Sequence, residues 1–103
     1  MSPPLIKAQN TASITVTLRN KRGLHARASN KFMQCVMNFS SDITVRSHND
    51  VCAEAVVADS VMELLLLGSA CGEDITISAA GVDAQEAVAA LAALVNNRFG
   101  END

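Results

Sequence analysis

The chain has 103 residues, of which 49% are hydrophobic and only 3% aromatic, and its formal net charge is −3. This length is enough for one domain with a modest core, and that core must be largely aliphatic. The slightly acidic balance, without a basic block, argues against nucleic-acid binding. No run approaches the roughly 18 consecutive apolar residues of a membrane span. We therefore expect one small domain that neither binds nucleic acid nor enters a membrane.

The three cysteines give no sign of a metal centre. Cys35, Cys52 and Cys71 are odd in number and lack CxxC spacing, and only two histidines accompany them. This pattern does not predict a zinc site, and we expect neither a metal nor a cofactor. Free thiols are typical of a reducing compartment, which predicts a cytoplasmic location.

The first half of the chain alternates between predicted strands and one helix. Residues 1–11 contain two prolines and no apolar stretch, so we expect a disordered tail. "SITVTLR" (13–19) alternates apolar and polar residues, as a half-buried strand does. Apolar residues at helical spacing over 26–38 predict an amphipathic helix. "DITVRS" (42–47) and "VCAEAVV" (51–57), separated by turn residues, predict an antiparallel hairpin.

The second half predicts a helix, a strand and a final helix. Ser60 and Glu63 have the spacing of a capping box and precede a run of leucines that predicts a short helix. "DITISA" (74–79) alternates in the manner of a strand. Asp83 opens a second capping-box pattern, and the apolar stripe that follows it ends at Phe99.

These elements give the order βαββαβα, with four strands and three helices. Such an order favours a two-layer α/β sandwich with the helices on one face of the sheet. We place the domain at residues 12–100. Residues 101–103 are expected to form a loose tail, because Gly100 follows the last apolar residue.

The stretch "KRGLHARAS" (21–29) places His25 directly before the first predicted helix. Free amides and the positive dipole end of a helix N-terminus favour anions, and Arg27 can pair with phosphate oxygens. Because a cationic ring is disfavoured beside Arg22 and Arg27, the neutral imidazole keeps a nucleophilic lone pair. This chemistry suits a transient phosphohistidine, whereas a loop histidine beside solvated arginines is the alternative on spacing alone.

Two segments carry a family resemblance. "GLHARAS" followed by "KF", and "DSVMELLLLGSACGEDITISAAG" (59–81), resemble the active segment and the regulatory-site helix with the last strand of the HPr family. These are the histidine-containing phosphocarrier proteins of the bacterial phosphoenolpyruvate-dependent phosphotransferase system. The resemblance covers about residues 13–99. It implies an α+β open-faced sandwich, with a four-stranded antiparallel sheet and three helices on one face.

The resemblance also implies roles for individual residues. His25 would accept the phosphoryl group on Nδ1, and Arg27 would stabilise it. Ser60 would be a regulatory site for an HPr kinase/phosphorylase, although a role as helix N-cap alone is equally open. An apolar contact surface for partners would comprise Leu24, Val61 and Met62, and for Val61 core packing is an equal alternative.

The implied function is that of a monomeric phosphoryl carrier rather than a stand-alone enzyme. It would accept phosphate from the first enzyme of the system and donate it to an enzyme IIA-type acceptor, in sugar uptake or in a nitrogen-related branch. One rival is a non-catalytic docking module of the same fold, against which the presence of His25 and Arg27 argues. The other is a small α/β enzyme, but no paired carboxylates or phosphate-binding glycine loop supports it.

Three features depart from the family pattern. Ala28 stands where proline is common, which leaves the first helical turn less rigid. The stretch around 46–56 is longer than usual, and Glu63 stands where many regulated members have glycine. Ala28 and the ending "NNRFGEND" most resemble proteobacterial members.

Overall fold

The computed structural model describes residues 10–48, 56–57 and 71–101. These residues form four strands, two α-helices and one 3-10 turn. The strands are β1 (Thr11–Thr17), β2 (Asp42–Ser47), β3 (Val56–Val57) and β4 (Asp74–Ala80), the helices are α1 (Ala26–Val36) and α2 (Ala84–Asn96), and the turn spans Arg98–Gly100.

The sheet is antiparallel throughout, with the strand order β1-β4-β2-β3. Ile14 of β1 lies opposite Ile77 of β4, and Thr44 of β2 lies opposite Val57 of β3. Because side chains alternate along a strand, one face of β4 buries Ile75 and Ile77 completely. The sheet therefore has one apolar face for the core.

The other face of the sheet carries hydroxyl side chains. Thr15 and Thr76 lie 2.9 Å apart through their Oγ1 atoms, and the hydroxyls of Ser13 and Ser78 lie 3.3 Å apart. Cross-strand pairs of this kind stabilise a sheet modestly. This polar face explains why the strands alternate so regularly in the sequence.

Both helices contribute to one core with the apolar face of the sheet. Phe32 of α1 is fully buried, and Leu91 and Val95 of α2 are buried with it. Burying a phenylalanine side chain stabilises a fold by roughly 1.5–3 kcal/mol. Phe32 therefore fixes α1 firmly, and with it the position of the residues at its N-terminus.

The α+β class is confirmed, but the finer counts of four full strands and three helices are not. The described residues contain three strands of six or seven residues, a two-residue β3 and two α-helices. The helix predicted after Ser60 and most of the predicted third strand lie outside these residues.

Several boundaries also differ from the prediction by one to three residues. β1 begins at Thr11, two residues earlier than predicted, so Thr11 belongs to the sheet and not to a tail. Its regular pairing with β4 ends at Thr17, although the Leu18 N–H still donates to the Glu73 carbonyl at 2.9 Å. The last helix ends at Asn96, because Arg98 and Phe99 adopt positive φ values of 57° and 55° and turn the chain.

Asp83 is the N-cap residue of α2, but its side chain does not cap the helix, so the predicted capping box is wrong. Its carboxylate instead accepts hydrogen bonds from the Ser40 N–H at 2.8 Å, the Ser41 N–H at 3.0 Å and the Ser41 hydroxyl at 2.5 Å. Hydrogen bonds from the Ser41 hydroxyl and the Ser40 N–H are the main interactions that lower the pKa of Asp83. The start of α2 is thereby tied to the loop before β2.

Candidate functional site

A turn from Asn20 to Gly23 shapes the loop before α1. The Gly23 N–H donates to the Asn20 carbonyl at 3.1 Å, and Asn20 Nδ2 donates back to the Gly23 carbonyl at 2.6 Å. Gly23 has a φ of +63°, a left-handed conformation that glycine adopts without penalty. The glycine of the motif thus closes a turn that delivers His25 to the helix start.

His25 is the N-cap of α1, as its position in the sequence predicts. Its backbone is extended, its carbonyl accepts the Ser29 N–H at 2.8 Å, and its ring Nδ1 accepts the Arg27 N–H at 3.2 Å. A nitrogen that accepts a hydrogen bond carries a lone pair and no proton. The remaining ring nitrogen, Nε2, therefore bears the proton.

The Nε2 atom of His25 lies 2.6 Å from Oε2 of Glu101. The other carboxylate oxygen, Oε1, accepts a hydrogen bond from Asn20 Nδ2 at 3.1 Å. Burial opposes ionisation of Glu101, but hydrogen bonds from His25 and Asn20, and attraction to His25 and Arg27, together lower its pKa. An ionised carboxylate is an acceptor only, so this contact independently requires the proton on Nε2.

The predicted loose tail is wrong at its first residue, Glu101, whose side chain is held by His25 and Asn20. Its side chain is only 11% exposed, and that of His25 is 21% exposed. The sequence contained one hint, because Phe99 is an apolar residue beyond the last helical turn and is 1% exposed in the structure. A residue two positions after such an anchor is held close to the core.

The segment Arg98–Glu101, here called the C-terminal strap, folds back onto α1. Lys31 Nζ of that helix donates to the Phe99 carbonyl at 2.7 Å. Within the strap, the Glu101 N–H donates to the Arg98 carbonyl at 2.9 Å. Arg98 and Phe99 both have left-handed backbone, which costs about 1–3 kcal/mol for each non-glycine residue. Burial of Phe99 offsets part of this cost.

Arg27 is exposed, and its guanidinium has no hydrogen-bond partner within residues 10–48, 56–57 and 71–101. Arg22 is likewise exposed, in the turn before His25. Free guanidinium groups beside a helix N-terminus are suited to binding an anion. The structure places the main-chain N–H of Arg27 at the nitrogen that carries the lone pair.

Leu24 does not lie where the contact surface requires it. A contact residue must be exposed, whereas Leu24 is 4% exposed and belongs to the hydrophobic core, so its predicted place in the contact surface is wrong. The Asn20–Gly23 turn directs it inward. The other residues predicted for regulation and contacts, Ser60, Val61 and Met62, lie outside the described residues.

Other kinds of site find little support in the part of the chain that the structure describes. It contains no group of three or more His, Cys, Asp or Glu residues placed to hold a metal ion. Cys35 is partly buried, which raises the pKa of its thiol, and Cys71 is exposed. None of the described helices is long and apolar enough to cross a membrane.

Comparison with known proteins identifies the family. The family model described as the PTS HPr component phosphorylation site matches residues 12–97. The phosphocarrier protein HPr of Cupriavidus necator is 41% identical over 87 residues, which cover 84% of this chain and 93% of that protein. The phosphocarrier protein NPr of Proteus mirabilis is 40% identical over 87 residues, with the same two coverages of 84% and 93%.

A solved structure shows the same fold. The crystal structure of HPr-C-His from Thermoanaerobacter tengcongensis superposes with a TM-score of 0.81 at 38% sequence identity. The match covers 89% of this chain and 99% of that chain. Sequence and fold therefore point to one family over nearly the whole domain.

Proposed function

This chain belongs to the HPr family of phosphocarrier proteins of the phosphotransferase system, and we propose that it carries its phosphoryl group on Nδ1 of His25. The observation that carries this proposal is the pair of contacts on the ring. Nδ1 faces the N-terminus of α1 and accepts from the Arg27 N–H, while Nε2 faces Glu101. The nucleophilic lone pair thus lies where an anion is favoured.

The uptake step needs no proton to leave the ring. The Nδ1 lone pair attacks the phosphorus atom, a nitrogen–phosphorus bond forms, and the donor's bond to phosphorus breaks with its electron pair staying on the donor. His25 keeps its proton on Nε2 throughout. No separate general base is required, because the tautomer in place already offers the unprotonated nitrogen.

The incoming phosphoryl group would meet three favourable groups. Once Nδ1 bonds to phosphorus, the Arg27 N–H loses its acceptor and becomes free to donate to a phosphate oxygen. The Arg27 guanidinium can pair with further oxygens, and the helix dipole favours their negative charge. These groups face charge that exists only during and after transfer, which is the arrangement that accelerates a reaction.

The proposed partners follow from the family. The donor would be the first enzyme of the phosphotransferase system, and the acceptor would be an enzyme IIA-type protein, in a sugar or a nitrogen-related branch. We propose that the carrier works as a monomer in the cytoplasm. Val61 and Met62 remain proposed contact residues, and Ser60 remains a proposed target of an HPr kinase/phosphorylase.

A two-step relay tests the carrier function against the rival docking module. The chain is incubated with phosphoenolpyruvate and the purified first enzyme, separated from them, and then mixed with an enzyme IIA-type protein. A carrier takes up phosphate in the first step and passes it on in the second. Binding of the acceptor without any uptake or transfer of phosphate would support the docking module instead.

A further inference from the structure

Asn20 holds Glu101 in a single orientation. Asn20 is fully buried, and its Nδ2 donates both to the Gly23 carbonyl at 2.6 Å and to Glu101 Oε1 at 3.1 Å. A reversed amide would turn its oxygen toward two acceptors, so this orientation is the only one compatible with both contacts. The side chain that closes the turn before His25 therefore also fixes the carboxylate beyond the ring.

The two contacts on the imidazole act in the same direction. Glu101 Oε2 can only accept, which requires a proton on Nε2, and the Arg27 N–H can only donate, which requires a lone pair on Nδ1. A free imidazole in water exchanges its proton between the two nitrogens. Here both neighbours select the one tautomer that can attack through Nδ1.

We propose that Glu101, oriented by Asn20, is a positioning residue that keeps the Nε2 proton on His25 in both the free and the phosphorylated carrier. This inference rests on the proposed function. On donation, the nitrogen–phosphorus bond breaks, its electron pair returns to Nδ1, and the acceptor's nucleophile bonds to phosphorus. With the Nε2 proton retained, the departing group is a neutral imidazole.

Loss of that proton would obstruct donation. The phosphorylated ring with a proton on Nε2 is cationic, and the adjacent carboxylate stabilises this charge. Glu101 accepts the hydrogen bond of that proton at 2.6 Å, and a ring without the proton would have to depart as an imidazolate anion, which leaves far less easily. We therefore expect loss of Glu101 to slow donation.

The test compares Glu101→Gln with the parent chain, and uses Glu86→Gln as the control. Glu86 is an exposed carboxylate in the first turn of α2. A glutamine at 101 keeps the shape but must turn its NH₂ group toward either His25 Nε2 or Asn20 Nδ2, both of which are donors. Glu101→Asp restores the charge on a shorter side chain.

The first readout is the nitrogen-15 spectrum of the His25 ring in the unphosphorylated protein. We expect the Nε2–H tautomer in the parent chain and in Glu86→Gln, a mixture in Glu101→Gln, and partial recovery in Glu101→Asp. The second readout is the rate of donation to the acceptor, which we expect to fall about tenfold or more in Glu101→Gln, as for loss of one charge-assisted hydrogen bond.

The outcomes separate this inference from the proposed function. An unchanged tautomer in Glu101→Gln, or an unchanged donation rate, would overturn the role of Glu101 while leaving His25 as the phosphorylated residue. A parent chain that takes up no phosphate would overturn the proposed function, whatever the tautomer. The ring spectrum needs no donor enzyme, so it can be measured in either case.

Discussion

The main-chain N–H of Arg27 donates to Nδ1 of His25 at 3.2 Å, while the guanidinium of the same residue has no hydrogen-bond partner among the described residues. One residue therefore makes two separate contributions. The ring of unphosphorylated His25 caps this amide, and we propose that the side chain binds oxygens that arrive with the phosphoryl group.

Arg27→Ala should consequently impair transfer and spare the fold. The substitution removes an exposed side chain and leaves the amide in place, so the free energy of unfolding should change by no more than ~0.5 kcal/mol. Phosphoryl uptake should slow, because charge on the phosphate oxygens loses its guanidinium partner. Stopped-flow or quenched-flow transfer kinetics and thermal unfolding measure the two effects.

Arg46→Ala is the matched control for this prediction. Arg46 is an exposed arginine of β2 that lies opposite Thr76, on the hydroxyl-bearing face of the sheet. It should leave both transfer and stability close to those of the parent chain. Equal transfer rates in the Arg27 and Arg46 variants would show that the Arg27 guanidinium is not needed.

Asp83→Asn should destabilise the protein at neutral pH and much less in acid. Hydrogen bonds from Ser41 and Ser40 lower the pKa of Asp83 below its value in the unfolded chain, about 3.9. Its contribution is therefore fully present above that unfolded value and is lost as the pH falls through the lower folded value. Denaturant unfolding of the parent chain and Asp83→Asn, near pH 7 and near pH 2.5, measures the difference between their free energies of unfolding at each pH.

Ser41→Ala provides a second measurement of the same cluster. It removes the hydroxyl donor that contributes most to the lowered pKa of Asp83. The pH-dependent part of the stability should shrink in this variant as well. A loss of stability in Asp83→Asn that is equally large at both pH values would contradict the assignment.

Gly81→Ala should destabilise the fold more than Gly72→Ala does. Both glycines have positive φ, +153° and +88°, so an alanine is strained at either position. At Gly81 a Cβ would also lie 2.7 Å from Ser41 Cα, whereas at Gly72 it would meet no atom within 4 Å. The added clash should cost about 1–3 kcal/mol.

Chemical denaturation of the two glycine variants isolates that clash. The difference between their unfolding free energies compares a positive-φ position where a Cβ clashes with one where it meets no atom. If Gly72→Ala lowers the free energy of unfolding as much as Gly81→Ala does, the clash with Ser41 adds nothing to the cost of the Gly81 substitution.

Ser60→Asp should slow phosphoryl transfer to His25 relative to Ser60→Ala. Ser60 lies outside the described residues, so this prediction rests on the sequence. A negative charge there would gain from helix N-terminal amides but would face Asp59 and Glu63, and it would hinder docking of partners without unfolding the domain. Transfer rates with the first enzyme compare the two variants, and equal rates would leave Ser60 as a helix cap alone.

Local patterns in the sequence predicted much of the fold. Alternation over 74–79 placed Ile75 and Ile77 in the core, and the position of His25 before an amphipathic run predicted its place at a helix start. Both patterns are local, because strand alternation and helix capping depend on neighbouring residues. The family resemblance then extended them to a function.

The contacts that the sequence did not reveal join distant residues. Glu101 and His25 are 76 positions apart, and no local pattern records such a contact. Asp83 has the spacing of a capping box, but amides of Ser40 and Ser41, more than 40 positions earlier, compete for its carboxylate. Leu24 was misplaced because a single apolar residue in a loop has no periodicity to show which way it faces.

Intact mass measurement shows whether His25 is the residue that carries the phosphoryl group. The chain, His25→Ala and His48→Ala are each incubated with phosphoenolpyruvate and the purified first enzyme of the system. His48 is the control, since it is exposed and bonds to Thr76 Oγ1 through Nε2 at 2.6 Å.

We expect the parent chain and His48→Ala each to gain one phosphoryl group that is labile in acid and stable in alkali, and His25→Ala to gain none. Acid-labile phosphate on His25→Ala would contradict the assignment of His25 as the carrier residue.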